Sequence, residues 1–193
     1  MADKKRKPIV LAFAGPNGSG KTTVKQALPT FGTYINADEL KAEYGLTDLE
    51  AAQKAEALRN ALIDKKVDFS FETVLSTERN LLLLEKARNL GYEVQCIYVL
   101  TCDENINVAR VKARHAAGGH NVPKDKIRAR YHRALALIPR LISVCDKILI
   151  YDNSIAPTLI LRKEGQNIAI FPNELWQKTT LQKMLGDINA LTI

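Results

Sequence analysis

The chain has 193 residues, of which 46% are hydrophobic and 25% are charged, the size and composition of one soluble globular domain. Its net charge is +7, but four positive charges are clustered at residues 4–7, so the rest of the chain is only mildly basic and suits an anionic ligand as well as a nucleic acid. The longest apolar runs are too short to cross a bilayer and no secretory signal follows the basic start, so we expect a cytoplasmic protein with no membrane partner.

Strand-length apolar runs alternate with helical patterns along the chain. In chain order we predict a strand at 8–14, a helix at 23–28, a strand at 33–36, a helix after a capping box at 47–50, a strand at 67–72, a helix at 77–90, a strand at 94–100, helices at 104–116 and 123–143, a strand at 148–151, a hairpin at 158–163 and 167–171, and a helix at 173–185. This alternation predicts an α/β fold, with a parallel five-stranded sheet covered by helices on both faces, followed by a C-terminal β-hairpin and helix. We expect a basic tail at residues 1–7 and a single domain at 8–193.

The helix that follows the capping box has a predicted apolar face. Ala51, Ala55, Leu58 and Leu62 occur there at helical spacing, so we expect these four side chains to face the core.

A phosphate-binding loop is the strongest motif in the sequence. Residues 15–22 match G-x-x-x-x-G-K-[ST] in full, after an apolar strand and before a predicted helix. In such loops the backbone N–H groups surround phosphates, the lysine (here Lys21) reaches the β- and γ-phosphates, and the hydroxyl of Thr22 is a ligand for Mg²⁺. The predicted nucleotide-binding residues are Gly15, Asn17, Gly18, Ser19, Gly20, Lys21, Thr22 and Thr23, and the predicted cofactors are ATP and Mg²⁺. The alternative is a glycine-rich turn that binds no ligand.

Two acidic residues follow predicted strands at the edge where α/β sheets bind ligands. Asp38 comes shortly after the second strand, and Glu72 ends the third. A phosphotransferase needs a carboxylate to accept the proton of the acceptor hydroxyl, and a second to hold the substrate. Asp38 also fits a second role as the cap of the helix that follows it.

Arginines cluster around a glycine pair in the region 104–133. Arg110 and Arg114 are one helical turn apart, residues 118–119 are glycines, and Arg130 is on the next predicted helix. Cations on a hinged segment suit a lid that closes over the γ-phosphate. A solvated basic face beside an ordinary loop is the alternative.

These motifs together resemble the zeta-toxin family of P-loop kinases, in particular its short single-domain relatives. The resemblance covers residues 8–154 and rests on GPNGSGKTT (15–23), INADE (35–39), FETVLS (71–76), ARVKAR (109–114), GGHNVP (118–123), RARYHRAL (128–135) and YDNS (151–154). It implies a P-loop kinase fold, ATP with Mg²⁺, and phosphorylation of a sugar hydroxyl of UDP-N-acetylglucosamine, in a toxin paired with an antitoxin protein.

The resemblance also assigns roles to particular residues. Lys21 matches the Walker lysine, Asp38 the catalytic base, and Glu72 and Glu56 two acids that contact the sugar nucleotide; Arg110 matches the first of two lid arginines. The position of the second lid arginine falls at or near His120, so Arg114 or Arg130 is expected to supply that charge. An arginine that follows the Glu72 motif in the long toxins is Ser76 here.

The sequence therefore favours an ATP-dependent kinase that acts on a hydroxyl of a small molecule. One alternative is a polynucleotide-end kinase, which the basic residues support but which lacks an aromatic stacking platform, because aromatic residues are only 6% of the chain. A nucleotide-binding module without transfer activity is the other.

Overall fold

The computed structural model describes residues 6–118, 122–186 and 191–193. Its strands are β1 (Ile9–Ala14), β2 (Thr33–Ile35), β3 (Phe69–Thr73), β4 (Glu93–Leu100), β5 (Lys147–Asp152), β6 (Thr158–Glu164), β7 (Asn167–Ile170) and β8 (Leu191–Thr192). Its helices are α1 (Lys21–Gln26), α2 (Ala37–Tyr44), α3 (Asp48–Asp64), α4 (Arg79–Asn89), α5 (Glu104–Ala116), α6 (Lys124–Ala136), α7 (Ile138–Val144) and α8 (Lys178–Leu185).

All strands belong to one sheet, in the order β2-β3-β1-β4-β5-β6-β7-β8. The first five in this order are parallel, which confirms the predicted α/β fold with a five-stranded parallel core. The hairpin β6–β7 extends the sheet, because β6 pairs antiparallel with β5 and so satisfies an edge that would otherwise be open. The short strand β8 was not predicted; it pairs parallel with β7.

Two predicted helices differ from the observed ones. The segment 123–143 forms two helices, α6 and α7, joined at Leu137, and Pro139 lies in the first turn of α7, where a missing N–H costs no hydrogen bond. The last helix begins at Lys178 rather than at residue 173, because the Asn173 side chain accepts the N–H groups of Leu175 and Trp176 and forms a turn instead.

The strand β1 is buried on both faces, as its continuous apolar sequence predicts. Val10, Ala12 and Ala14 pack into a large cluster on one side of the sheet, whereas Leu11 and Phe13 pack on the other. This rigid central strand ends directly at the phosphate loop, so the core fixes the position of that loop.

Three of the four predicted core-facing side chains of α3 pack inward, because both alanines are buried and Leu62 is partly buried against the core. The buried residues of the helix are Ala51, Ala55, Arg59 and Ile63, spaced four apart, whereas Leu58 is 37% exposed. Residues four apart on a helix form a ridge that packs against neighbouring elements. In α3 the ridge that begins with the two alanines faces the protein interior. Arg59 is therefore buried on this face, whereas the sequence pattern predicts that the adjacent Leu58 is buried.

Within the described ranges, no helix has both the length and the apolar character needed to cross a bilayer.

Candidate active site

The phosphate loop joins the end of β1 to the start of α1. Gly18 and Gly20 have φ angles of 78° and 91°, in the left-handed region. A Cβ atom at Gly18 would lie 2.5 Å from the carbonyl oxygen of Asn107, and one at Gly20 would lie 2.0 Å from Nδ2 of Asn153. Only glycine fits at these two positions, so the loop conformation is determined by close packing as well as by backbone freedom.

Two asparagines from other elements hold the loop in place. Asn107 of α5 donates from Nδ2 to the carbonyl of Asn17 (2.7 Å), and Asn153, just after β5, donates from Nδ2 to the carbonyl of Ser19 (2.8 Å). Asn107 is buried, and its Oδ1 accepts from the hydroxyl of Thr101. The sequence reasoning assigned no role to either asparagine, although a polar residue on the buried face of α5 was a usable signal for Asn107.

Lys21 is buried at the start of α1 and folds back onto the loop. Its Nζ donates to the carbonyl oxygens of Gly15 (2.9 Å) and Pro16 (3.3 Å) and lies 3.8 Å from Oε1 of Glu72. Burial lowers the pKa of the Lys21 ammonium, whereas the charges of Glu72 and Asp38 act in the opposite direction. Two of the Lys21 partners are uncharged carbonyls, which a phosphate oxygen could replace by a charge-assisted hydrogen bond.

Glu72 is the penultimate residue of β3, lies beside Lys21, and is oriented by residues in and directly after β2. Tyr34 donates its hydroxyl to Oε2 of Glu72 (3.1 Å), and Asn36 Nδ2 lies 3.4 Å from the same atom. Burial and the adjacent Glu72 carboxylate raise the pKa of the Tyr34 hydroxyl, which therefore remains a donor. Tyr34 and Asn36 were missed by sequence reasoning, because no local pattern reveals a contact between residues 38 or 36 positions apart.

Asp38 lies in the first turn of α2, and a different residue caps that helix. Asn36 is the N-cap, and its Oδ1 accepts the backbone N–H of Asp38 at 2.9 Å. The alternative that Asp38 serves as the helix cap is therefore wrong. Its exposed carboxylate lines the same cavity as Lys21 and Glu72.

Two cavities adjoin at the phosphate loop. The larger, of about 610 Å³, is lined by residues that include Asn17, Gly18, Lys21, Asp38, Arg59, Glu72, Arg114 and Arg130. The smaller, of about 210 Å³, is lined by Gly18, Gly20, Lys21, Thr22, Glu72, Arg110, Val111 and Arg114. Lys21 and Glu72 line both, so they lie where the contents of the two cavities would meet.

The predicted cationic residues have different surroundings. Arg110 donates to the backbone carbonyls of Asn153 (2.8 Å) and Ser154 (3.0 Å), which fixes it beside the smaller cavity. Arg114 lines both cavities, and Arg130 donates to Oδ1 of Asn17 at 3.1 Å. His120 lies outside the described residues.

The remaining predicted site residues line neither of these two cavities. Gly15 contributes its carbonyl to Lys21, Ser19 is buried in the loop, and Thr23 is exposed on α1. Glu56 of α3 is 3.3 Å from Nη1 of Arg79, a residue that does line the larger cavity. Glu56 is thus near the larger cavity but is paired with a neighbouring cation.

The described residues contain no cluster of three or more His, Cys, Asp or Glu side chains that could hold a metal ion by themselves. Thr22 is exposed and lines the smaller cavity. This arrangement fits a Mg²⁺ ion that takes one protein hydroxyl and completes its coordination with phosphate oxygens and water.

Comparison with known proteins identifies relatives of this chain. The sequence model described as Zeta toxin matches residues 1–164. A cytidylate kinase from Sulfurisphaera tokodaii is 32% identical over 124 residues, which cover 61% of this chain and 66% of that protein.

Solved structures share the fold at lower identity. The structure of the PezAT chromosomal toxin-antitoxin system of Streptococcus pneumoniae aligns with a TM-score of 0.56 and 21% identity, over 81% of this chain and 72% of that one. The structure of AvrRxo1-ORF1:-ORF2 with ATP aligns with a TM-score of 0.70 and 15% identity, over 94% of this chain and 64% of that one. At these identities the alignments establish the fold alone.

Proposed function

The chain belongs to the Zeta toxin family, and we propose that it is an ATP-dependent kinase that phosphorylates a hydroxyl group of a small molecule. The observation that carries this proposal is the meeting of the phosphate-loop lysine with two carboxylates. Lys21, Glu72 and Asp38 all line the larger cavity, and the first two also line the smaller one. A phosphoryl donor and an acceptor hydroxyl would therefore meet between these side chains.

The phosphate loop and α1 would bind the donor. The loop backbone and the N-terminus of α1 provide N–H groups and positive potential for the β- and γ-phosphates of ATP. Lys21 would exchange its contacts with the Gly15 and Pro16 carbonyls for contacts with the phosphates. Thr22 would hold a Mg²⁺ ion, which when bound neutralises phosphate charge.

Asp38 would act on the acceptor. As the acceptor oxygen forms a bond to the γ-phosphorus, the bond to the ADP oxygen breaks, and the hydroxyl proton passes to the Asp38 carboxylate. Glu72, held by Tyr34, would orient the acceptor through a hydrogen bond. Arg110 lines the smaller cavity, Arg130 the larger and Arg114 both, and these three cations would stabilise the charge on the transferred group.

We propose UDP-N-acetylglucosamine as the first acceptor to test and an antitoxin protein as a partner. The support is the family membership, together with a structural relative that belongs to a toxin-antitoxin system. In this chain Ser76, rather than an arginine, follows the Glu72 motif and lines the larger cavity, so the cation for an anionic acceptor must come from elsewhere.

The test is transfer of labelled phosphate from ATP to UDP-N-acetylglucosamine and, in parallel, to a metabolite extract, with products identified by mass spectrometry. Asp38→Asn is the inactive comparison, and Glu39→Gln, which changes the next carboxylate on α2, is the matched control. We expect a phosphorylated small molecule with the wild type and Glu39→Gln only. Label found solely on nucleic-acid ends, or no transfer by protein that binds ATP, would overturn the kinase proposal.

A further inference from the structure

Arg59 is a buried cation in the wall of the larger cavity. It extends from α3, is only 6% exposed, and lines the cavity together with Lys21 and Asp38. Its Nε has no hydrogen-bond partner among the described residues. The sequence pattern predicts that a leucine is buried on this face of α3, so apolar packing alone does not explain the burial of Arg59.

No acid among the described residues is hydrogen-bonded or ion-paired to Arg59. Burial lowers the pKa of Arg59, and the charge of Glu56 partly offsets this effect. The nearest acid on its own helix, Glu56, has its carboxylate bound to Arg79. The guanidinium carbon of Arg59 lies 5.2 Å from the centre of the Phe71 ring, a contact that orients the group without satisfying its N–H donors. A buried charge without a hydrogen-bonded counter-ion is costly, and it persists where function uses it.

Asn80, which also lines the larger cavity, has a second unsatisfied polar atom. Its Nδ2 donates to Oγ1 of Thr73 (2.8 Å), but its Oδ1 is buried with no partner among the described residues. Thr73 Oγ1 also accepts the N–H of Leu75, a residue with a φ of 50°. The loop that follows β3 is thereby held in a strained conformation that places Asn80 and Thr73 together.

We propose that Arg59 and Asn80 form an acceptor subsite, in which the Arg59 guanidinium binds an oxyanion group of the acceptor molecule and the Asn80 amide oxygen accepts a hydrogen bond from a neutral O–H or N–H group of the same molecule. This inference rests on the proposed function and defines its substrate class. The acceptor carries a carboxylate or phosphate group in addition to the hydroxyl that is phosphorylated.

Binding of a simple anion tests the subsite directly. The protein is saturated with Mg²⁺ and a non-hydrolysable ATP analogue to block the phosphate loop, and the arginine Nε–H signals are followed by NMR during titration with inorganic phosphate and, separately, with acetate. The Arg59 signal is assigned by its loss in Arg59→Met, which keeps an apolar stem over Phe71. Arg162→Met is the matched control, because Arg162 also lies over a phenylalanine ring, 5.9 Å from Phe171, but is exposed on β6.

We expect the Arg59 signal to shift with one or both anions, and the Arg162 signal to stay unchanged. A larger shift with phosphate indicates a phosphorylated acceptor, and a larger shift with acetate indicates a carboxylate. Equal shifts for the two arginines, or none at Arg59, would overturn the subsite.

A phosphate-transfer assay distinguishes failure of this inference from failure of the kinase proposal. A metabolite extract is divided by anion exchange into anionic and neutral pools, and each is incubated with labelled ATP. We expect product only from the anionic pool, and Arg59→Met should raise the KM for that pool by about 10- to 100-fold while the KM for ATP stays unchanged. Product from the neutral pool overturns the subsite but not the kinase. No product from either pool overturns the kinase, and the anion titration then decides the subsite.

Discussion

The Nζ atom of Lys21 lies 3.8 Å from Oε1 of Glu72, at the junction of the two cavities. The other oxygen of that carboxylate accepts the Tyr34 hydroxyl, so Glu72 is held between the phosphate loop and β2. This relationship couples the donor side of the site to the acceptor side. A bound γ-phosphate would compete with Glu72 for Lys21, and the carboxylate would then be available to an acceptor.

Lys21→Met should abolish most transfer while the fold is retained. Among the described residues the buried ammonium contacts two carbonyls and one carboxylate, so its stabilising effect is expected on the transferred phosphate rather than on the fold. We expect kcat to fall by at least about 100-fold, as for loss of one preorganised charge-stabilising donor. Steady-state kinetics and thermal unfolding measure the two effects, with Lys112→Met, exposed on α5, as the control. A large loss of Tm would instead show a structural role.

Asp38→Asn should lower kcat by about 10²- to 10⁴-fold, because the amide keeps the shape of the carboxylate but cannot accept a proton. Helix stability should fall by less than about 1 kcal/mol, since Asn36 is the cap of α2 and Asp38 contributes only a negative charge in the first turn. The KM for ATP should also stay unchanged. Kinetics at several Mg²⁺ concentrations provide the check: recovery of kcat with excess Mg²⁺ would assign Asp38 to metal binding, and unaltered kcat would remove it from the mechanism.

The parts of the molecule that sequence could predict are those determined by local patterns. The phosphate loop, the strand before it and the position of Glu72 near the end of β3 each follow from adjacent residues, and the sheet confirms the strand alternation. Tyr34, Asn107 and Asn153 could not be predicted in the same way, because their partners Glu72, Asn17 and Ser19 are 38, 90 and 134 residues away.

The burial of Arg59 could not be predicted from the sequence for a different reason. Helical periodicity identifies a face to within about one residue, and on α3 both Leu58 and Arg59 are compatible with a face that starts at Ala51 and Ala55. Apolar character alone favours Leu58. Tertiary packing selects the row four residues apart, and it buries the arginine where the cavity requires a polar group.

Arg110→Lys should impair nucleotide binding as well as turnover. The guanidinium donates to the carbonyls of Asn153 and Ser154, and the Asn153 side chain in turn donates to the carbonyl of Ser19 in the phosphate loop. Lysine cannot reproduce the planar two-donor arrangement, so the loop should lose part of its support. We expect a rise of about 3- to 30-fold in the KM for ATP, from the weakening of one or two hydrogen bonds. A drop in kcat with no change in the KM for ATP would instead assign Arg110 to the transition state alone.

Asp68 should stabilise the fold at neutral pH and lose this effect at acid pH. Hydrogen bonding from Arg6 lowers the pKa of this carboxyl, and the backbone N–H of Ile9 adds to the effect at 2.8 Å. The carboxyl therefore holds its proton less tightly in the folded state than in the unfolded state. Its contribution to stability is complete above the unfolded-state pKa of about 3.9 and is lost as pH falls through the lower pKa of the folded state. The Tm of the wild type should therefore fall more steeply below pH 4 than that of Asp68→Asn. Asp125→Asn, exposed on α6, should follow the wild type, and parallel curves for all three proteins would refute the assignment.

Tyr34→Phe tests whether Tyr34 positions Glu72. Phenylalanine keeps the edge contact with Phe13 and the ring beneath Lys25 but removes the O–H that donates to Glu72 Oε2 at 3.1 Å. The lost hydrogen bond should cost about 1 kcal/mol of stability, and kcat should fall by about 3- to 10-fold because Glu72 is less well oriented. A double-mutant cycle gives the decisive readout: in a Glu72→Gln background, Tyr34→Phe should have a smaller effect on kcat, because the amide cannot replace the charged acceptor. Equal effects in the two backgrounds, or a lower Tm with unchanged kcat, would mean that Tyr34 stabilises the fold without positioning Glu72.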